Sequence, residues 1–157
     1  MNKVRKAVAA DATAILDVYN DGNSVFGWPP QDIKSTFEEQ IENDIVFIME
    51  ENNQAIAFIS FKAILEGPAH IFIEGLYVLK GKQRSGAGSK LLAYVEQEIE
   101  KADAFQKIVL KTLKSCPWVE TFYKKNGYEV LNSKRDDAIL DSYFPPESFE
   151  TIMFKNI

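Results

Sequence analysis

The stretch Leu76-Tyr77-Val78-Leu79-Lys80-Gly81-Lys82-Gln83-Arg84-Ser85-Gly86-Ala87-Gly88-Ser89-Lys90 has the residue types needed to hold a phosphate. It sets a glycine-containing loop between an apolar strand pattern and the start of a helical one. The first N–H groups of a helix have no partner within it and lie at the positive end of its dipole, so they receive anions. Gly86 and Gly88 let a ligand come close to the backbone with no side chain in the way. Between Gly75 and Val95 there is no acid, whereas Lys80, Lys82, Arg84 and Lys90 are basic. Two common phosphate loops do not fit. A Walker loop needs Lys and then Ser or Thr after its second glycine, but Ala87 and Gly88 follow Gly86; a dinucleotide fingerprint begun at Gly86 needs glycine where Leu91 stands. On these residues alone, a tight strand-to-helix turn with solvated lysines explains the loop as well. Cys116, followed by Pro117, has no histidine near it in sequence and reads as a helix cap or core residue rather than a nucleophile. His70 opens a strand beside Pro68 and reads as a surface or hydrogen-bonded histidine.

The elements that position these residues must come from one core, because 157 residues suffice for a single domain, 1–157. Hydrophobic residues at 46% and charged residues at 26% exclude a disordered or collagen-like chain. One cysteine cannot form an intramolecular disulfide, and one histidine with one cysteine argues against a metal site, so no metal and a cytoplasmic setting are expected. A net charge of −5 disfavours nucleic acid as the main partner. Apolar runs such as Ile56-Ala57-Phe58-Ile59 fall far short of the roughly 20 residues that cross a bilayer. Met1-Asn2-Lys3-Val4-Arg5 leads into no apolar signal region, and no membrane association is expected.

Along the chain, residues 4–8 read as a first strand. Asp11 reads as the N-cap of a helix carrying Ile15, Val18 and Tyr19 on its inner face, ended by Asn20-Asp21-Gly22-Asn23. After the aromatic loop Phe26-Gly27-Trp28-Pro29-Pro30, Asp32 marks a second helix with Ile33, Phe37 and Ile41 at four-residue spacing. Residues 45–49, 55–64 and 70–79 then read as an antiparallel meander, turning at Glu51-Asn52-Asn53 and Glu66-Gly67-Pro68. The helical period returns over 88–101, with Leu91, Leu92, Val95 and Ile99 on one side. A strand at 107–113, a helix from Pro117 closed by Asn126-Gly127, and strands at 128–131 and 149–154 complete the order, the last two separated by a polar loop containing Pro145-Pro146. The sum is a mixed α/β sheet of about seven strands with four helices. The crossover between the strand ending near Leu79 and that at Lys107 makes this pair parallel.

Gln83-Arg84-Ser85-Gly86-Ala87-Gly88, preceded by Ile73-Glu74-Gly75-Leu76-Tyr77-Val78, resembles the Q/R-x-x-G-x-G/A signature of the GNAT N-acetyltransferase superfamily. Phe122-Tyr123-Lys124-Lys125-Asn126-Gly127-Tyr128 is similar to that family's fourth-helix ending, and the likeness extends over the whole chain in element order. The resemblance implies the GNAT acyl-coenzyme A N-acyltransferase fold, a sheet splayed between strands four and five that holds acetyl-coenzyme A as cosubstrate. Main-chain groups of Tyr77 and Val78 would pair with the pantetheine arm, and the N–H groups of Gln83, Arg84, Ser85, Gly86, Ala87, Gly88 and Ser89 would take the pyrophosphate. An amide at Leu76 or Val78 would polarise the thioester carbonyl. The same resemblance makes Tyr123 the general acid that protonates the departing thiolate and Glu74 a candidate base for the amine, with a structural tyrosine and a solvent-facing glutamate as the plain alternatives. Many family members carry Asn where Cys116 stands and Ala where Val119 stands, so backbone groups or Ser115 would replace the usual amide contact. Phe26, Trp28 and Phe37 would wall the acceptor pocket or plug the end of the sheet. The acids Glu38, Glu39, Glu42, Asp44, Glu50 and Glu51 form either a solvated face or a mouth that suits a cationic amine. The implied activity is acetyl transfer to a primary amine of a small molecule or peptide, by direct attack in a ternary complex, with a homodimer as one option. The competing reading is a non-catalytic acyl-coenzyme A binding or sensing domain.

Overall fold

The computed structural model describes residues 2–43, 45–132, 137–143 and 149–157; Asp44 and the Pro145-Pro146 loop lie outside them. In chain order the elements are β1 (Asn2–Lys6), α1 (Ala12–Asn23), α2 (Lys34–Asn43), β2 (Ile45–Glu51), β3 (Gln54–Ile64), β4 (His70–Val78), α3 (Ala87–Ala102), β5 (Lys107–Leu113), α4 (Pro117–Lys125), β6 (Glu129–Val130), α5 (Ala138–Asp141) and β7 (Glu150–Asn156). The strands form one mixed sheet in the order β1-β2-β3-β4-β5-β7-β6. The parallel ladder of β4 and β5 is confined to Ile71↔Ile108 and Phe72↔Val109. The chain groups into two compact units, residues 1–62 with 74–98, and residues 63–73 with 99–157.

In the first unit the β2–β3 hairpin turns at Asn52 and Asn53, both left-handed with φ of 53° and 62°, a conformation that asparagine tolerates well. The alternation of β2 sends Val46 and Ile48 to one face, where they meet Ile15 and Val18 of α1, Phe37 of α2 and Phe58 of β3. Phe47, one residue out of step, faces the other way, stacking on Phe61 and meeting Tyr94 of α3. Helices α1 and α2 therefore cover one face and α3 the other. Leu91, Leu92 and Val95 of α3 are completely buried, which accounts for the apolar stripe read there.

Several boundaries differ from the expectation. β1 runs from Asn2 to Lys6, and Ala7 adds one more bond to Val46 O, because the chain is turned at Val8. Asp11 does the turning: its carboxylate accepts from the Val8 N–H and from both Arg5 guanidinium nitrogens, instead of capping α1. Helix α1 continues through Asn20-Asp21-Gly22-Asn23 instead of ending at it. Gly22 is needed inside the helix, since a Cβ there would lie 2.8 Å from the carbonyl oxygen of Val78. Helix α2 begins at Lys34, two residues beyond Asp32.

In the second unit β5 pairs antiparallel with β7, from Lys107↔Asn156 to Leu113↔Glu150, and β6 is reduced to two residues on the far side of β7. Val109, Ile152 and Phe154 pack with Ile139 and Leu140 of α5, a helix of four residues that no periodicity announces. Asp137 makes α5 possible by accepting from the N–H groups of Ile139 and Leu140. It also pairs with the buried Lys107 at 3.0 Å. Burial opposes the charge on Asp137, but Lys107 and the two amides outweigh it and hold the carboxyl below the usual range. A carboxyl lowered in the folded state stabilises above its unfolded pKa, and this contribution is lost as pH falls through the folded value. Asp137→Asn is therefore expected to lower stability by about 1–2 kcal/mol at pH 7, with the gap to the wild type narrowing as pH is lowered through and below the usual carboxylate range in denaturant titrations.

Candidate active site

The loop from β4 to α3 leads straight into the start of a helix. A 3-10 turn at Lys80–Lys82 follows β4, and Lys82 N donates to Leu79 O while Ser85 N donates to Lys82 O. The first amide with a helical partner is Lys90 N, donating to Gly86 O at 3.0 Å, so the amides of Ala87 and Gly88 are among those a helix start leaves unsatisfied. Gly86 has φ +87°, and nothing lies within 4 Å of where its Cβ would be, leaving open space above it. Arg84 also has a positive φ, 63°, a conformation that costs a non-glycine residue about 1 kcal/mol and marks a loop shaped for something other than stability. Among the described residues the exposed Arg84 guanidinium has no ion-pair partner. Lys82 differs, being paired with Glu51. The Gln83 side chain turns back onto Val78 O at 3.1 Å and Gly22 O at 3.4 Å, and Asp21 accepts from Lys80 N at 2.6 Å. The loop is thus fastened to α1 and to itself, while the amides of Ala87 and Gly88 and the Arg84 guanidinium are left for an external acceptor.

On the strand ahead of the loop, Glu74 has its side chain 19% exposed. Gln40 Nε2 of α2 donates to Glu74 Oε2 at 2.9 Å, and Lys62 Nζ of β3 lies 3.4 Å from Oε1. Glu74 is therefore not simply solvent-facing. Gly75 is required by the tyrosine two residues on: the Tyr77 ring folds back so closely that a Cβ on Gly75 would meet Cε2 at 2.4 Å. Tyr77 packs against Tyr19 and Phe58, and burial beside Tyr19 pushes its phenol up to about 12, which keeps it neutral at physiological pH.

Phe26 and Trp28 stack at 4.7 Å between α1 and α2. A cavity of about 180 Å³ lies there, lined by Tyr19, Asn20, Asn23, Trp28, Pro29 and Gln31. Asn20 fixes its wall, donating to Gln31 O and accepting from Gln31 N, both at 2.9 Å. Phe37 is not part of this wall; it is 4% exposed and packs edge-on against Tyr19 and Phe58 in the core. Of the described members of the acidic run, Glu50 pairs with Arg5, Glu51 with Lys82 and Glu38 with Lys34, while Glu38, Glu39 and Glu42 stand exposed on α2.

In the second unit, Tyr123 closes α4, its ring edge-on to Phe122 and Tyr128 and only 7% exposed. Pro117 occupies the first turn of α4, and Gly127, φ +91°, follows its end, as the motif requires. Cys116 is buried at the helix's N-cap position, with no side-chain cap bond and the Ser115 hydroxyl 3.8 Å from its sulfur. Its backbone does the capping, Val119 N donating to Cys116 O. His70 is buried and fully engaged: Nδ1 donates to Pro68 O at 3.0 Å, so Nε2 accepts from the Tyr143 hydroxyl at 2.6 Å. It is a core residue. Sequence reasoning missed Gln40 and Lys62, whose link to Glu74 exists only through tertiary pairing.

A basic, glycine-lined helix start following a strand with a pinned carboxylate has the chemistry to receive an anionic group. The chain belongs to the GNAT acetyltransferase family, whose model matches residues 13–128, and it is an acetyltransferase that draws on acetyl-coenzyme A. It is 26% identical over 148 residues to the S-alkylcysteine N-acetyltransferase of Bacillus subtilis (strain 168), covering 85% of this chain and 82% of that protein. Its fold is similar to that of the ribosomal-protein-S18-alanine N-acetyltransferase from Escherichia coli, with a TM-score of 0.76 at 21% identity over 100% of this chain and 94% of the other. The PaiA N-acetyltransferase from Thermoplasma acidophilum, solved in complex with coenzyme A, also has a TM-score of 0.76, at 17% identity over 100% and 99% of the two chains. Among the described residues no helix is long and apolar enough to cross a membrane.

Proposed function

We propose that residues 1–157 act as one cytoplasmic catalytic domain that acetylates the α-amine of a small amino acid carrying an apolar, S-alkyl-type side chain. The observation that carries this reading is Glu74, a partly exposed carboxylate pinned on β4 immediately ahead of the anion loop. The α-amine of an amino acid is predominantly protonated at neutral pH, so its lone pair becomes available only when a base takes a proton. Glu74 supplies that base, directly or through water. The freed nitrogen attacks the thioester carbon, an amide of Leu76 or Val78 steadies the carbonyl oxygen, the C–S bond breaks as Tyr123 gives its proton to the departing sulfur, and the proton shed by the acylated nitrogen returns through water to the Tyr123 phenolate. Main-chain groups of Tyr77 and Val78 hold the pantetheine arm, and within the loop from Gln83 to Ser89 the amides without a partner in the loop, those of Ala87 and Gly88 among them, hold the pyrophosphate. The S-alkylcysteine relative and the cavity beside Trp28 support the acceptor class, since Tyr19, Trp28 and Pro29 present apolar surface of a size that suits a short thioether.

Thiol release is measured with S-methyl- and S-benzylcysteine, free cysteine, a polyamine and an alanine-initiated peptide. The S-alkylcysteines are expected to exceed free cysteine by about ten-fold or more in kcat/KM. A preference for polyamine or peptide overturns the acceptor class, and tight acetyl-coenzyme A binding with no acceptor-dependent release in any case points to a sensing domain. The placement of the pyrophosphate has its own check. Arg84→Ala and Arg84→Gly are both expected to weaken acetyl-coenzyme A binding by about ten-fold at low salt and less at high salt, while Arg84→Gly relieves the left-handed backbone and is the more stable variant. Wild-type affinity in both, by calorimetry, removes Arg84 from the site.

A further inference from the structure

The Gln40 side chain presents a contradiction that stability does not resolve. Its Oε1 is buried with no hydrogen-bond partner among the described residues, the state that costs a polar group its hydration with nothing in return. The opposite orientation of the amide offers no relief, because it would bring oxygen against the carboxylate of Glu74; Nε2 must face Glu74 Oε2, as it does at 2.9 Å. An apolar side chain of similar length would fill the same space without an orphaned carbonyl. What such a side chain could not supply is the N–H directed at Glu74. A charged group, Lys62, lies against the other oxygen of that carboxylate at 3.4 Å. A hydrogen bond on one oxygen, from α2, and an ammonium against the other, from β3, together set the plane of the carboxylate.

We infer that Gln40 is a positioning residue that holds the Glu74 carboxylate in the orientation required to take the proton of the acceptor amine. This rests on the reading of Glu74 as the base and adds to it the residue through which α2 acts on the chemistry. Gln40 itself touches no reacting atom.

The experiment compares Gln40→Met, Glu74→Gln and the double variant in the full chain. Methionine matches the length of glutamine and removes both the orphaned oxygen and the N–H. Thermal stability of Gln40→Met is expected to equal or exceed that of the wild type, kcat to fall about ten-fold, and the acetyl-coenzyme A KM to stay within about two-fold. The acidic limb of its pH–rate profile is expected to move to higher pH by up to about one unit, because a donor to the ionised form of Glu74 has been removed while Lys62 remains. In the Glu74→Gln background the same replacement is expected to have almost no further effect, as two residues acting through one group are not additive. Wild-type kcat and an unmoved limb in Gln40→Met, with Glu74→Gln impaired, overturn the inference and leave Glu74 as the base. Loss of stability with an unmoved limb makes Gln40 structural and overturns it as well. Wild-type behaviour of Glu74→Gln overturns the base assignment and the inference with it.

Discussion

Replacing Tyr123 by phenylalanine is expected to leave fold and acetyl-coenzyme A affinity intact while turnover falls about ten- to a thousand-fold. The ring is what packs: it is edge-on to Phe122 at 5.0 Å and to Tyr128 at 5.4 Å, and phenylalanine preserves both contacts. The main-chain bonds also survive, since Tyr123 O accepts from the amides of Asn126 and Tyr128 whatever the side chain is. Only the hydroxyl is lost. A thiol of pKa near 8.5 leaves as a tolerable anion, so a phenol of pKa near 10 assists its departure without being indispensable. That places the effect at or below the usual range for general acid catalysis. The measurement is single-turnover acetyl transfer, in which product release cannot mask chemistry. Wild-type turnover there makes Tyr123 a packing residue, and a lowered melting temperature with a proportionate loss of active protein says the same.

Much of the architecture was legible because its causes are local. The change of hydrophobic period from four to two after Ile41, and its return at Leu91, reflects directly which faces of β2 and α3 are buried. Asn52-Asn53 and Pro117 punctuate the chain through backbone preferences that need no tertiary partner. The sharp turn from β4 into α3 was legible for the same reason, since a helix start and a glycine-lined turn lie within ten residues. The misreadings occur where tertiary contacts outvote local preference. Asn20-Asp21-Gly22-Asn23 has the composition of a helix stop, yet Gly22 lies against Val78 O and Asp21 accepts from Lys80 N, and these contacts keep the segment helical. Helix α5 spans four residues, too few for any periodicity, and exists because Asp137 caps it and Lys107 holds Asp137. Arg84 adopts a left-handed conformation where glycine would be the local choice. The same limit applies at the site. Glu74 could be picked out on its strand, but its partners Gln40 and Lys62 come from other elements, and neither carries a motif.

The second large effect belongs to Glu74→Gln. Glutamine keeps the shape of the side chain and an oxygen that can still accept from Gln40 Nε2, so the local packing at β4 is preserved and what disappears is the capacity to take a proton. At pH 7 the α-amine of an amino acid is mostly protonated, and the variant must wait for the small free fraction. Turnover is therefore expected to fall about a hundred-fold near neutral pH, the lower end of the range for acid–base catalysis. As pH rises towards the amine's own pKa, the free amine accumulates without help and the deficit is expected to shrink to within about ten-fold by about pH 9.5. The ratio of variant to wild-type kcat/KM across pH thus separates two roles that a single assay at pH 7 confuses. A ratio that climbs with pH identifies a base. A ratio that is low and flat means that Glu74 orients the acceptor through its charge, and in that case restoring the free amine cannot restore the rate.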